Sequence, residues 1–135
     1  VNESQELRWR GWLRLELEAV WLYPIIAARF DDLADEATGA YQMHRRRRDD
    51  LLAEFDEAEI DPQAPPISYD IGDLRTAEDA RGAAVDLERR LCAAIAALAG
   101  VVRGAHREQA VSALRASALQ SMSWGSAPES FPGLD

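Results

Sequence analysis

One long proline-rich segment divides this chain into two stretches of helix-period sequence, each broken once and briefly. That spacing restricts the fold more than any other feature. Ile60 to Leu74 carries Pro62, Pro65, Pro66 and Gly72 without a sustained period, so it reads as an extended connection over about residues 60–75. At roughly 3.3 Å per residue it can reach about 50 Å, more than the roughly 36 Å of a 24-residue helix. It can therefore cross a whole helical bundle. Before it, Asp31 and Asp32 are the break between two helices; after it, Gly100 and Gly104 bracket a similarly short turn. Long helices joined by so few residues lie antiparallel as hairpins.

The apolar spacing predicts helices over about 4–30, 33–59, 76–98 and 106–124. In the first, Trp9, Leu13, Leu17, Val20, Tyr23, Ala27 and Phe30 recur at steps of three and four, which marks one helical face. Trp12, Leu15, Leu22, Ile25 and Ile26 fall elsewhere on the wheel. A helix apolar over more than half its girth is either central or in contact with a second chain. Ser4 is its expected N-cap, and Pro24 should kink it near Val20. The second helix, with Asp31 and Asp32 as caps, turns Ala37, Tyr41, His44, Leu51 and Phe55 inward. Thr76 with Asp79 forms a capping box opening a third helix whose stripe is Ala77, Ala80, Ala84, Leu87, Leu91, Ile95 and Leu98. The fourth presents Val111, Leu114, Ala118 and Met122. Phe131 and Leu134 are available to pin the tail. Two antiparallel hairpins joined by one long crossover give an all-α, ferritin-like four-helix bundle, expected as a single domain over 1–135.

Composition narrows the function classes. Hydrophobic residues make up 47% of the chain and charged residues 29%, which provides for both a core and a polar surface and excludes an acidic disordered tail. The longest apolar stretch, Ala19 to Ala28, contains Pro24 and falls short of the roughly 20 residues that cross a bilayer. No secretory signal is visible, so the expected location is cytoplasmic; because the chain begins with Val, an upstream segment stays open. The single Cys92 reads as small core filler. A net charge of −9 opposes phosphate backbones, so nucleic acid is not an expected partner. The 15 basic residues are all Arg. Arg45 to Arg48 face all directions of a helix, with Asp49, Asp50, Glu54 and Asp56 downstream for local pairs.

A ferritin-type di-metal site needs a Glu from each of two helices and a Glu-x-x-His pair from each of the other two. Here Glu16 and Glu88 are candidate inward carboxylates, and His44 stands where the histidine of such a pair would, preceded by Tyr41 in place of Glu. The fourth helix supplies no pair. A complete di-iron site is therefore not expected, and neither is a resident cofactor. The alternative, iron or zinc on Glu16, His44 and Glu88, is an oxidoreductase or metal-storage reading with open positions. A histidine on an apolar face is more often a hydrogen-bonded core residue, and buried carboxylates must be paired. Arg115 first and Arg48 second are the candidate counter-charges. The expected core polar cluster is Glu16, Tyr41, His44, Arg48, Glu88 and Arg115.

The run Ala40-Tyr41-Gln42-Met43-His44-Arg45-Arg46-Arg47-Arg48-Asp49, the connection Ala64-Pro65-Pro66 with Tyr69, the Leu87-Glu88-x-Arg90 segment, and Trp124 with Phe131-Pro132-Gly133 resemble an actinobacterial ferritin-like family of unknown function. The resemblance spans about Leu13 to Leu134. It implies the four-helix fold, Glu16 as the acid of the first helix, and Tyr where active ferritins carry the second helix's Glu; it implies no established activity. Pro24 departs from the small residue usual there.

These readings favour a structural or interaction module over an enzyme, with a homodimer formed through the apolar surface of the first helix. A small-molecule site lined by Tyr23, Tyr41 and Trp21 is a further possibility.

Overall fold

A computed structural model of the chain describes residues 1–128 and 133. Helix α1 spans Glu3–Arg29, α2 Ala34–Glu57, α3 Ala77–Ala99 and α4 Gly104–Ser123. There is no strand among the described residues, and Phe131 and Leu134 lie outside them.

Local chemistry sets most of the ends. At α1 the cap is Asn2, not Ser4: its side chain accepts from the Gln5 N–H at 2.9 Å while Gln5 reaches back to the Asn2 N–H. The two satisfy orphan donors reciprocally. The same box closes at α3, where Thr76 and Asp79 exchange side-chain-to-backbone bonds. Backbone N–H groups of Thr76 and Arg75 hold the Asp79 carboxyl below its usual range. Asp31 and Asp32 do not cap α2 directly; they form a 3-10 turn, Asp31–Leu33, from which α2 starts without a side-chain cap. Pro24 sits on the exposed side of α1, and the helix runs continuously through it.

Helix directions follow from which residues meet. Along α1 and α3, Gln5 donates to the Val101 carbonyl at 2.7 Å and Arg90 pairs with Glu18 at 2.6 Å, so the two are antiparallel. Along α2 and α4, Ser123 meets Glu36, Arg47 meets the Ala113 carbonyl and His106 meets Glu54, again antiparallel. With each hairpin antiparallel, α1 and α4 point one way and α2 and α3 the other. Parallel α2 and α3 require a connection as long as the bundle. The 58–76 segment supplies it along the outside of α1: Arg10 donates to the Asp61 carbonyl at 2.9 Å, and the Tyr69 ring meets Trp21 with centroids 5.8 Å apart. The fold is a four-helix bundle of two hairpins with one long crossover.

This packing uses the wide apolar surface of α1. The buried side chains of α1 are Trp9, Trp12, Leu13, Glu16, Ala19, Leu22, Tyr23 and Ile26; Leu17, Val20, Ala27 and Phe30, on the sequence-derived stripe, are half-buried. The crossover's Pro62 to Pro66 lie against Leu13 and Leu17. Only Leu7 and Trp21 remain among the large exposed apolar side chains of this helix. The surplus girth therefore faces α2, α3 and the crossover within one chain. On α3 the stripe Ala80, Ala84, Leu87, Leu91, Ile95 and Leu98 is buried, with Cys92 beside it. Helix α4 departs from expectation. Its buried face is Ala110, Ala113, Ser117 and Ser121, while Val111, Leu114 and Ala118 are half-buried and Met122 is exposed.

Candidate functional site

The bundle interior contains three fully buried ionisable side chains, Glu16 on α1, His44 on α2 and Glu88 on α3. A buried carboxylate is costly unless paired, and here each is. The His44 ring lies between them, with Nδ1 2.5 Å from Glu16 Oε1 and Nε2 2.7 Å from Glu88 Oε2. A carboxylate faces each ring nitrogen, so both nitrogens donate and the ring is an imidazolium. Burial alone pushes the His44 pKa down; the Glu88 charge, with hydrogen bonds to Glu16 and Glu88, outweighs it and raises the value to about 9.

The carboxylates have further donors. Trp12, one helical turn before Glu16, gives its indole N–H to Glu16 Oε2 at 2.7 Å, and the Tyr23 hydroxyl donates to Glu88 Oε2. Burial and the adjacent Glu88 charge raise the Tyr23 pKa well above its ordinary value, so the phenol keeps its proton. The Tyr23 ring stacks between His44 and Trp124, at centroid distances of 5.5 and 5.9 Å. Glu88 Oε1 and Trp124 Nε1 are buried polar atoms without a hydrogen-bond partner.

The second cation is Arg47. It enters from a groove of about 210 Å³ along the α2–α4 seam, lined in part by Asp50, Gln109 and Ser112, with the buried Trp12 at its base. One guanidinium nitrogen donates to Ser117 Oγ at 2.7 Å and lies 3.4 Å from Glu16 Oε2; the other donates to the Ala113 carbonyl at 2.6 Å. Two carboxylates thus face two cations, and all four helices contribute.

Of the residues singled out in the sequence, Glu16, His44 and Glu88 come together. Tyr41 is half-buried beside the core and enters none of these bonds. Arg48 turns outward to Asp49 at 2.9 Å, and Arg115 is exposed on the far side of α4. Neither is the counter-charge, because the rotation of α2 puts residue 47, one turn after His44, on the inner side, and α4 turns Ala113 and Ser117 inward instead of residue 115. Tyr23 is buried in the cluster while Trp21 lies against the crossover, so a pocket shared by Trp21, Tyr23 and Tyr41 does not form. Sequence reasoning missed Arg47, Trp12 and Ser117. The spacings Trp12 to Glu16 and His44 to Arg47 carried a signal, since residues three and four apart share a helical face. Ser117 lay within a run of small residues that gave none.

A metal ion needs lone pairs, most of which this arrangement has already used. Both oxygens of Glu16 and one of Glu88 accept from protein donors, and both His44 nitrogens face carboxylates. Among the described residues no group of three or more His, Cys, Asp or Glu side chains is disposed to hold a metal ion. The residues do not fit a di-metal centre.

The counter-charge assignment predicts a mutational contrast. Arg47→Ala should cost about 2 kcal/mol, the range for hydrogen bonds to charged groups, whereas Arg48→Ala and Arg115→Ala should each cost under about 0.5 kcal/mol. Urea midpoints at neutral pH measure this. An Arg115 or Arg48 effect equal to that of Arg47 would contradict the assignment.

No helix among the described residues is long and apolar enough to cross a membrane. A conserved hypothetical protein from Mycobacterium tuberculosis, known from its crystal structure, superposes with a TM-score of 0.84 at 23% sequence identity, covering 92% of this chain and 97% of that one. At that identity the likeness establishes the fold alone. No curated protein matches the sequence. A family profile, described as a domain of unknown function (DUF4439), matches residues 11–135, and over nearly its whole length the chain belongs to that family.

Proposed function

We propose that this chain is a ferritin-like bundle in which protein cations occupy the place of the metals, and that it works as a structural or interaction module instead of an enzyme. One observation carries the reading: His44 bridges Glu16 and Glu88 through both ring nitrogens, with Arg47 completing the charge balance. The two-hairpin connectivity supports the ferritin-like assignment, since bundles with one long crossover share it. A core neutralised in this way is rigid, with its carboxylates oriented by donors from α1 and α2 and Arg47 anchored in turn on α4. It holds the outer helix faces in fixed register for contacts with other surfaces.

The competing reading places one iron or zinc ion on Glu16, His44 and Glu88 for redox or storage work. In its favour is Glu88 Oε1, a buried acceptor with no partner. Against it, binding would require His44 to lose a proton and leave one carboxylate, with Arg47 still beside the incoming cation. Elemental analysis separates the two. Protein purified from medium supplemented with iron and zinc should carry well under one ion per chain and consume no oxygen on addition of ferrous iron. Stoichiometric metal that is lost in Glu88→Gln would overturn the proposal.

A further inference from the structure

Helix α4 has two apolar sides. The small residues Ala110, Ala113, Ser117 and Ser121 face the bundle, and a second set, Val111, Leu119 and Met122, lies on or toward the outer side. Leu119 is 65% exposed and Met122 40%. Bulky apolar side chains on the solvent side of a helix whose inner side is already packed mark a contact surface.

Charge on the same face indicates the occupant. Glu108 and Arg115 are both exposed, and neither forms an ion pair among the described residues. They stand two turns apart, about 10 Å along the axis, with Val111 and Ser112 midway between. A two-fold axis through that midpoint brings a second α4 alongside, antiparallel, and sets residues equidistant from the midpoint opposite one another. Glu108 then meets the partner's Arg115, and the pair is repeated on the other side of the axis. Gly104 meets the partner's Leu119, the smallest residue against the most exposed leucine of the helix. A shallow open depression of about 520 Å³ lies on this face, lined by Gly104, Arg107, Glu108, Val111, Ser112 and Arg115. In this arrangement the partner's Leu119 would lie over its Gly104 end. An acid and a base, and a small and a large residue, related by one and the same midpoint are what an isologous contact requires.

We infer that the outer face of α4 is a self-association surface, and that its occupant is a second copy of this chain packed antiparallel about an axis between Val111 and Ser112. The inference is independent of the charge-filled core, and it moves the dimer contact from α1, whose apolar girth is used within the chain, to α4. One helix face against its copy falls at the small end of stable interfaces, so the dimer should dissociate in the micromolar range.

Charge reversal tests the pairing without depending on fold stability, because both positions are exposed. Sedimentation of the whole chain should give a dimer at about 200 μM and a monomer near 1 μM, as a weak, small interface implies. Glu108→Arg and Arg115→Glu should each weaken association at least about tenfold, since each sets like charges opposite one another at both ends. Mixing the two variants should restore a dimer composed of one chain of each kind. Distinguishing the chains by a size tag and native mass spectrometry identifies it. A wild-type chain that stays monomeric at 200 μM overturns the proposal and leaves the face to a different partner. Variants that dimerise like the wild type, or a mixture that does not associate, also overturn it by moving the contact elsewhere.

Discussion

Replacing His44 with leucine is expected to destabilise the protein by about 3–5 kcal/mol, the cost of breaking a buried ion pair by removing one partner. Leucine keeps the approximate volume but removes two hydrogen bonds and a positive charge, leaving Glu16 and Glu88 in the same low-dielectric interior with Arg47 as the only nearby cation among the described residues. Urea unfolding at pH 7 measures the loss. A control separates electrostatics from packing: the triple variant Glu16→Gln, His44→Leu, Glu88→Gln has no buried carboxylate, keeps only Arg47 at the groove as a charge, and should recover part of the stability that His44→Leu loses, since replacing a buried ionic group is often nearly neutral. If His44→Leu unfolds at the parent's urea midpoint, or if the triple variant is less stable than the single one, the bridge is not what holds α1, α2 and α3 together.

The second large effect is a dependence of stability on pH. In the unfolded chain His44 titrates near the ordinary 6.5, and in the folded protein near 9. A folded-state value above the unfolded one means the bridge's contribution is complete below about pH 6.5 and is lost as pH rises through about 9. A difference of that size corresponds to a loss of order 3 kcal/mol. Tyr23, with its pKa raised by burial and by Glu88, does not titrate in this window. The parent's unfolding free energy should therefore fall between pH 6.5 and 9.5, while that of His44→Leu stays close to level. A parent curve that is flat over this range, or a variant curve that falls as steeply, would assign the titration to another group.

Which parts of this arrangement were legible in advance follows from how each signal arises. The capping box of Thr76 with Asp79, the two short turns and the long proline-rich connection are local, and local chemistry reads directly from the chain. Helix α3 was also legible, within a residue at each end and with its stripe buried from Ala80 onward, because its leucines and isoleucine alternate with alanine and charge at helical spacing. Glu16, His44 and Glu88 could be picked out for the same reason: each sits among apolar neighbours at inward phases, where an ionisable group stands out.

Helix α4 carried apolar residues on two sides, and the fold chose the smaller set. Alanines and serines offer little hydrophobic contrast in a sequence, yet they let α3 and α4 approach closely, and close approach determines the inner face. The counter-charge was hidden in another way. Arg45, Arg46, Arg47 and Arg48 are chemically identical, and only the rotation of α2 against α1 and α4 selects which one reaches Glu16. The sequence by itself determined the helices, their connection lengths and hence the two-hairpin architecture, because those depend on interactions within a few residues. The tertiary structure alone decided the phase of α1 and α4, the choice of Arg47, and the partnership of Tyr23 with Glu88. Each of these is a contact between helices, and its energy depends on positions that no single segment specifies.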